Sequence, residues 1–200
     1  MKILYVHGIG SNKNGSTVNW LRKYFTEHDI YSFDIPFDPN EAIKFIKEKC
    51  NELGINLIIG TSLGGFYTMC IHGVQKILVN PAIKAFETAE NVIGIGTHEY
   101  LKTRDDGINT YTIDKEFIAK LKTLYDKHIK NFDEEIKAET YGIFGTEDDV
   151  CNFREEFKTM YGTKHYVEAK FGHRMTEEVF TNEFTELFAT MKKDFDSRKW

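Results

Sequence analysis

The sequence predicts an α/β fold: a mostly parallel six-stranded β-sheet with helices on both faces. Three observations lead there. Short β-prone runs recur at Lys2–Val6, Ile30–Phe33, Ile55–Ile59, Lys76–Val79, Thr140–Phe144 and Lys164–Glu168. Each is followed by sequence of helical periodicity, and strands alternating with helices build a parallel sheet covered on both sides. The chain has 200 residues, enough for one domain, spanning 1–200, to bury about two-thirds of its unfolded surface without disulfides.

In chain order, the first strand leads into His7-Gly8-Ile9-Gly10, where glycines allow the backbone to bend. After the second strand, Asp38 can cap a helix that has Pro39 at its first position, Glu41 as the far member of a capping box and Gly54 just past its end. Ala42, Ile43, Ile46, Cys50 and Leu53 form its apolar stripe. The third strand runs directly into Gly60-Thr61-Ser62-Leu63-Gly64, and the fourth into Asn80-Pro81-Ala82.

From about 84 to 139 the rhythm stops: no strong strand is evident, and one helical run begins near Asp114 with Phe117, Ile118, Leu121, Leu124 and Tyr125 on one face. Compact domains avoid structureless connections of this length, so the segment is expected to be a folded, lid-like insertion. Beyond it lie an acidic turn from Gly145 to Val150 and a second capping-box pattern, Asn152 with Glu155, ahead of Phe153, Phe157 and Tyr161. Phe171-Gly172-His173 follows the sixth strand. A last helix from about Thr176 carries Val179, Phe180, Phe184 and Phe188 at core spacing.

Composition excludes several classes. With 31 acidic and 26 basic residues the formal charge is −5, opposite to that of a surface built for nucleic acid or anionic lipid. Cys50, Cys70 and Cys151 are odd in number and far apart, suggesting neither a disulfide framework nor a zinc site. The N-terminal apolar run is too short for a signal peptide, and no stretch reaches the roughly 20 apolar residues of a membrane span. The expectation is a soluble cytoplasmic protein.

The chemistry concentrates at G-x-S-x-G. Such a turn forces a serine into a tight bend between strand and helix, where its hydroxyl projects from the sheet. A serine hydroxyl near neutral pH needs a histidine to take its proton and a carboxylate to orient that histidine. Ser62, then Asp148 in the acidic turn, then His173 supply these in the order such sheets use; Asp149 is the alternative acid, and Glu147 is adjacent. Backbone amides of Leu63, at a helix N-terminus, and Ile9, in the first loop, would stabilise an oxyanion. His7 is expected to shape that loop rather than transfer protons. Gly10-Ser11-Asn12-Lys13-Asn14-Gly15-Ser16-Thr17 has the look of a phosphate-binding loop, but Ser16 stands where the lysine belongs, and a glycine needed for a dinucleotide fingerprint is replaced by Lys13.

Together these residues resemble the α/β-hydrolase superfamily, and within it the small YqiA-type esterases. The resemblance rests on His7-Gly8 with Ser11-Asn12, Gly60-Thr61-Ser62-Leu63-Gly64-Gly65, Val79-Asn80-Pro81-Ala82 with Phe86, Asp148 with Val150, Phe153 and Arg154, and Gly172-His173. It implies cofactor-free hydrolysis of small-molecule carboxylic esters or acyl thioesters, with Ser62, Asp148 and His173 as catalytic residues. The region from about Asn91 to Ile113 departs from the family pattern. The competing expectation is a catalytically inactive hydrolase fold that serves as a binding or interaction module.

Overall fold

The computed structural model describes residues 1–130 and 134–197. The parts of the expected 84–139 insertion and 1–200 domain that fall at 131–133 and 198–200 lie outside them. The main sheet contains β1 (Lys2–Val6), β2 (Asp29–Ser32), β3 (Leu57–Thr61), β4 (Gln75–Val79), β7 (Thr140–Gly145) and β8 (Tyr166–Ala169). Its order is β2-β1-β3-β4-β7-β8, and every pairing is parallel. The expected six strands are all present, with ends that differ by at most two residues.

Between β4 and β7 the chain adds an antiparallel hairpin, β5 (Gly96–Glu99) with β6 (Thr110–Ile113), in register Gly96↔Ile113. The sequence shows no strong strand in this insertion, and the hairpin is made of two weak ones. Gly-Thr-His-Glu and Thr-Tyr-Thr-Ile are short and mostly half-buried or exposed, so they lack the apolar run that marks the main-sheet strands.

The helices are α1 (Ser16–Tyr24), α2 (Pro39–Leu53), α3 (Leu63–Met69), α4 (Ala85–Thr88), α5 (Lys115–Leu124), α6 (Glu134–Glu139), α7 (Arg154–Tyr161), α8 (Glu177–Val179) and α9 (Thr185–Ser197). Three π-helical turns are present among the described residues: Ala89–Ile93 after α4, Tyr125–Ile129 after α5, and Phe180–Phe184, which joins α8 to α9. Asp38 accepts hydrogen bonds from the amides of Asn40 and Glu41, and Gly54 ends α2 in the left-handed region at φ 63°, as its position past the helix end predicts. The second capping box does not form: α7 begins after Phe153 without a side-chain cap, and the Asn152 Oδ1 instead accepts from Arg154 Nε at 3.0 Å.

Side-chain alternation sorts the strands onto two cores. Leu4, Val6, Ile58 and Leu78 face Ala42, Ile46, Phe66 and Phe157 on one side. Ile3, Tyr5, Ile59 and Ile77 face Val18 and Leu21 of α1 and Phe180, Phe184 and Phe188 of the C-terminal helix on the other. Each such fully buried side chain contributes about 1.5–3 kcal/mol. The apolar face of α5 joins the first core: Phe117 stacks on Phe37 with ring centroids 4.4 Å apart, and Leu121 is fully buried. Among the described residues no helix is long and apolar enough to cross a membrane.

Candidate active site

The site lies at the carboxyl ends of β1, β3, β4 and β7. The chain steps from β1 outward to β2 and then back to β3 on the other side of β1. Loops diverge at such a switch point and leave a crevice, which is where open parallel sheets bind ligands. Ser62 occupies this crevice in a strained conformation, φ 53° and ψ −122°, a state costing about 1–3 kcal/mol. The surroundings hold it there. Ser62 N donates to Val79 O, and Ser62 O accepts from the amides of Phe66 and Ala82. The elbow also demands glycine: a Cβ at Gly64 would stand 2.2 Å from Val6 O, and one at Gly60 2.6 Å from Gly64 O. Any side chain there would push α3 off the sheet.

The structure brings the three sequence-predicted residues together. His173 Nε2 is 3.0 Å from Ser62 Oγ, and His173 Nδ1 lies 3.1 and 3.0 Å from the two Asp148 carboxylate oxygens. Burial alone would raise the Asp148 pKa, but the His173 hydrogen bond and the Cys151 and Val150 amides outweigh it and hold the carboxyl below its ordinary value. An ionised Asp148 fixes the imidazole proton on Nδ1 and leaves Nε2 able to accept from the serine. Asp148 is buried, whereas its neighbours Glu147 and Asp149 are exposed, which separates the three acidic candidates.

Leu63, the first residue of α3, follows Ser62 directly, and Ile9, in the loop after β1, lines the cavity on which Ser62 opens. Among the described residues neither amide donates to a backbone or side-chain acceptor. His7 has the shaping role expected of it: its Nε2 accepts from Ile35 N at 3.2 Å, so its Nδ1 carries the proton and donates to Gly8 O at 2.9 Å. Burial lowers its pKa and keeps the ring neutral. Arg154 ion-pairs with Glu168 rather than with the acidic turn.

Two features lay beyond the sequence reading. Asn80, fully buried and in the left-handed region at φ 42°, accepts from Gly145 N at 2.8 Å through Oδ1. Its Nδ2 donates to the carbonyls of Gly172 and His173 at 2.9 and 3.1 Å. One side chain thereby ties the acidic turn to the histidine loop. Its place in Asn-Pro-Ala was visible in the sequence, but a strand-ending turn explains that pattern equally well. Cys151 is the second: its buried Sγ lies 4.0 Å from Ser62 Oγ, and burial, with the Asp148 charge, pushes its thiol pKa up to about 12.

A cavity of about 500 Å³ opens on Ser62 and His173 and is walled in part by Leu101, Lys102 and Tyr111 of the hairpin segment. The loop between β5 and β6 is fastened across the first loop. Leu101 N donates to Gly10 O, Asn12 Nδ2 to Thr103 O, and Arg104 Nη1 to Ile35 O, while Lys13 pairs with Asp105. Among the described residues no cluster of three or more His, Cys, Asp or Glu side chains could hold a metal ion.

Sheet order, elbow and crevice define an α/β-hydrolase fold, and solved structures agree. A monoacylglycerol lipase from Paleococcus ferrophilus is similar with TM-score 0.65 and 16% identity, over 96% of this chain and 93% of that one. The α/β-hydrolase domain-containing protein 10 from mouse gives TM-score 0.67 and 14% identity over 99% and 90%. Est1E from Butyrivibrio proteoclasticus gives 0.66 and 13% over 96% and 88%. No curated protein sequence matches the chain at a significant level. Residues 2–191 match the model of the Uncharacterised protein family (UPF0227), and the chain belongs to that family, the YqiA-like one whose resemblance the sequence carries.

Proposed function

We propose that this protein is a serine hydrolase that cleaves carboxylic esters or acyl thioesters through an acyl-enzyme. The reading is carried by one observation, the continuous contact from Ser62 Oγ through the His173 ring to the Asp148 carboxylate. Ser62 Oγ attacks the substrate carbonyl carbon while its proton passes to His173 Nε2. The amides of Leu63 and Ile9 stabilise the negative oxygen that develops, a term worth about 100- to 1,000-fold in turnover per donor. As the carbonyl reforms, the bond to the leaving alcohol or thiol breaks and Nε2 returns the proton to it. Water then attacks the acyl-enzyme, giving its proton to Nε2, and the acid departs as Ser62 Oγ is reprotonated. The chemistry calls for no metal or organic cofactor.

Residues 1–200 act as one hydrolase domain in this reading, and the lid is the hairpin with its loop, since α5 packs into the core. Three free cysteines suit a reducing cytoplasm. The test is labelling by a fluorophosphonate with peptide mapping, beside turnover of short acyl esters and thioesters. Adduct on Ser62, lost in Ser62→Ala and strongly slowed in His173→Ala, is the expected result. Ser62→Ala and His173→Ala should each remove most turnover, and the double variant should be little worse, because such residues act as a unit. An unlabelled Ser62 in folded protein, under conditions that fully label a known serine hydrolase, returns the protein to the class of inactive binding modules.

A further inference from the structure

We propose that the substrate carries an anionic group, a phosphate or a carboxylate, seated between Lys102 and Arg174 on the wall of the cavity at Ser62. This deepens the hydrolase reading and rests on it. The chain as a whole is acidic, yet the described residues lining the cavity include these two cations and no carboxylate. Asp148 stands behind the imidazole with its side chain 1% exposed. Among the described residues neither cation is committed to an acid. Arg174 has no side-chain partner, and the contact of Lys102 Nζ is with the carbonyl of Asn14 at 3.2 Å. Lysine and arginine that line a concave site without counter-charges favour an anion, and because both side chains are exposed the attraction is open to screening by salt.

The rest of this wall is matched to the same ligand. Ser11, Gly15, Ser16 and Thr17, the loop that has the look of a phosphate-binding turn but lacks its lysine, line the cavity. The Asn14 contact places Lys102 of the hairpin beside that loop, so the cation missing from its sequence arrives from another part of the chain. The loop ends at α1, nine residues long, which begins after Gly15 with no side-chain cap. Apolar Ile9, Ile93, Leu101, Val150 and Met175 complete the lining and suit an acyl chain. The substrate class is therefore an amphiphilic ester with an apolar acyl part and a negative charge.

The test compares kcat/KM within two matched pairs of probes: 4-nitrophenyl butyrate against mono-4-nitrophenyl glutarate, and 1-butyrylglycerol against its 3-phosphate. The expected result is that at least one anionic ester is favoured about tenfold over its neutral match at low salt, with the preference shrinking as salt rises. Which pair responds distinguishes a carboxylate on the acyl side from a phosphate on the alcohol side. Lys102→Ala with Arg174→Ala should lower the anionic-to-neutral ratio about tenfold, while Lys102→Arg keeps it; circular dichroism confirms that each variant is folded. If Ser62 labels with fluorophosphonate but neither anionic ester is preferred, or the double alanine variant keeps the preference, the anion site is refuted and the hydrolase reading survives. No labelling and no turnover of any of the four esters overturns both.

Discussion

Asn80 offers the sharpest perturbation. Its side chain makes three hydrogen bonds at 2.8, 2.9 and 3.1 Å, all within a buried junction between the acidic turn and the histidine loop. Asn80→Ala leaves the Gly145 amide without an acceptor, which costs about 1–3 kcal/mol, and removes two further bonds of about 1 kcal/mol each. Alanine at φ 42° adds about 1 kcal/mol more, since asparagine tolerates left-handed backbone better than other residues with a Cβ. The total expected loss is about 4–6 kcal/mol. Asn80→Asp is more discriminating, because it keeps the acceptor for Gly145 N and turns the donor that faces Gly172 O and His173 O into a second acceptor. Two carbonyls against a carboxylate raise the folded pKa of that new acid. Its penalty is therefore full above the folded pKa and shrinks as pH falls through it, when the protonated carboxyl can donate to one carbonyl. Urea unfolding at pH 8 and pH 5 measures this, and the rate of fluorophosphonate labelling reports the placement of His173. Labelling should slow at least tenfold, since small misplacements of a reacting group can cost about 100-fold. If both variants lie within about 0.5 kcal/mol of wild type and label at the native rate, Asn80 does not hold the loop.

Other consequences can be checked independently. Arg104, buried, pairs with Asp106 at 2.8 Å, donates to Ile35 O at 3.2 Å and stacks over Tyr100. Arg104→Ala should free the hairpin loop and speed proteolysis between residues 96 and 113 by about tenfold, local opening being governed by such contacts; unchanged cleavage would refute the fastening. Burial lowers the pKa of His7, His28 and His128, the last to about 4. Unfolded histidines gain a proton below about pH 6.5 that these folded ones resist, so the unfolded state binds more protons there and stability falls as pH drops from about 6.5 toward 4. Thermal unfolding at pH 7, 6 and 5 should show the midpoint descending, and His128→Gln should flatten the descent. A midpoint that holds or rises toward pH 5 contradicts the burial argument.

The parts of the fold legible in the sequence are those written in local signals. Leu57-Ile58-Ile59 and Gln75–Val79 are buried strands of a parallel sheet, so their side chains on both faces are mostly apolar. Ser62 could be located because the close approach of its turn to β1 and α3 admits only glycine at positions 60 and 64, and that steric demand is written locally as G-x-S-x-G. His173 and Asp148 were found by chain order. The hairpin was not, because its β5 and β6 strands gain their hold from distant bonds, Leu101 to Gly10 and Arg104 to Ile35, that no window of sequence contains. The stripe on α5 is legible as apolar, but its target is not: Phe37 lies far upstream and meets Phe117 only after folding. Asn152 shows the reverse error, a good local cap whose oxygen is taken by the neighbouring Arg154.

The antiparallel pairing of Gly96 with Ile113 brings the two ends of the hairpin side by side, just after Gly94 at φ 94° and just before the cap of α5 at Asp114. A segment whose ends nearly touch can be exchanged for another of different length without moving what it is spliced into. The stretch that walls the cavity is thus a replaceable cassette, while the elbow, acidic turn and histidine loop stay anchored to the sheet. On the proposed hydrolase reading, substrate selectivity is the property that such an exchange would change.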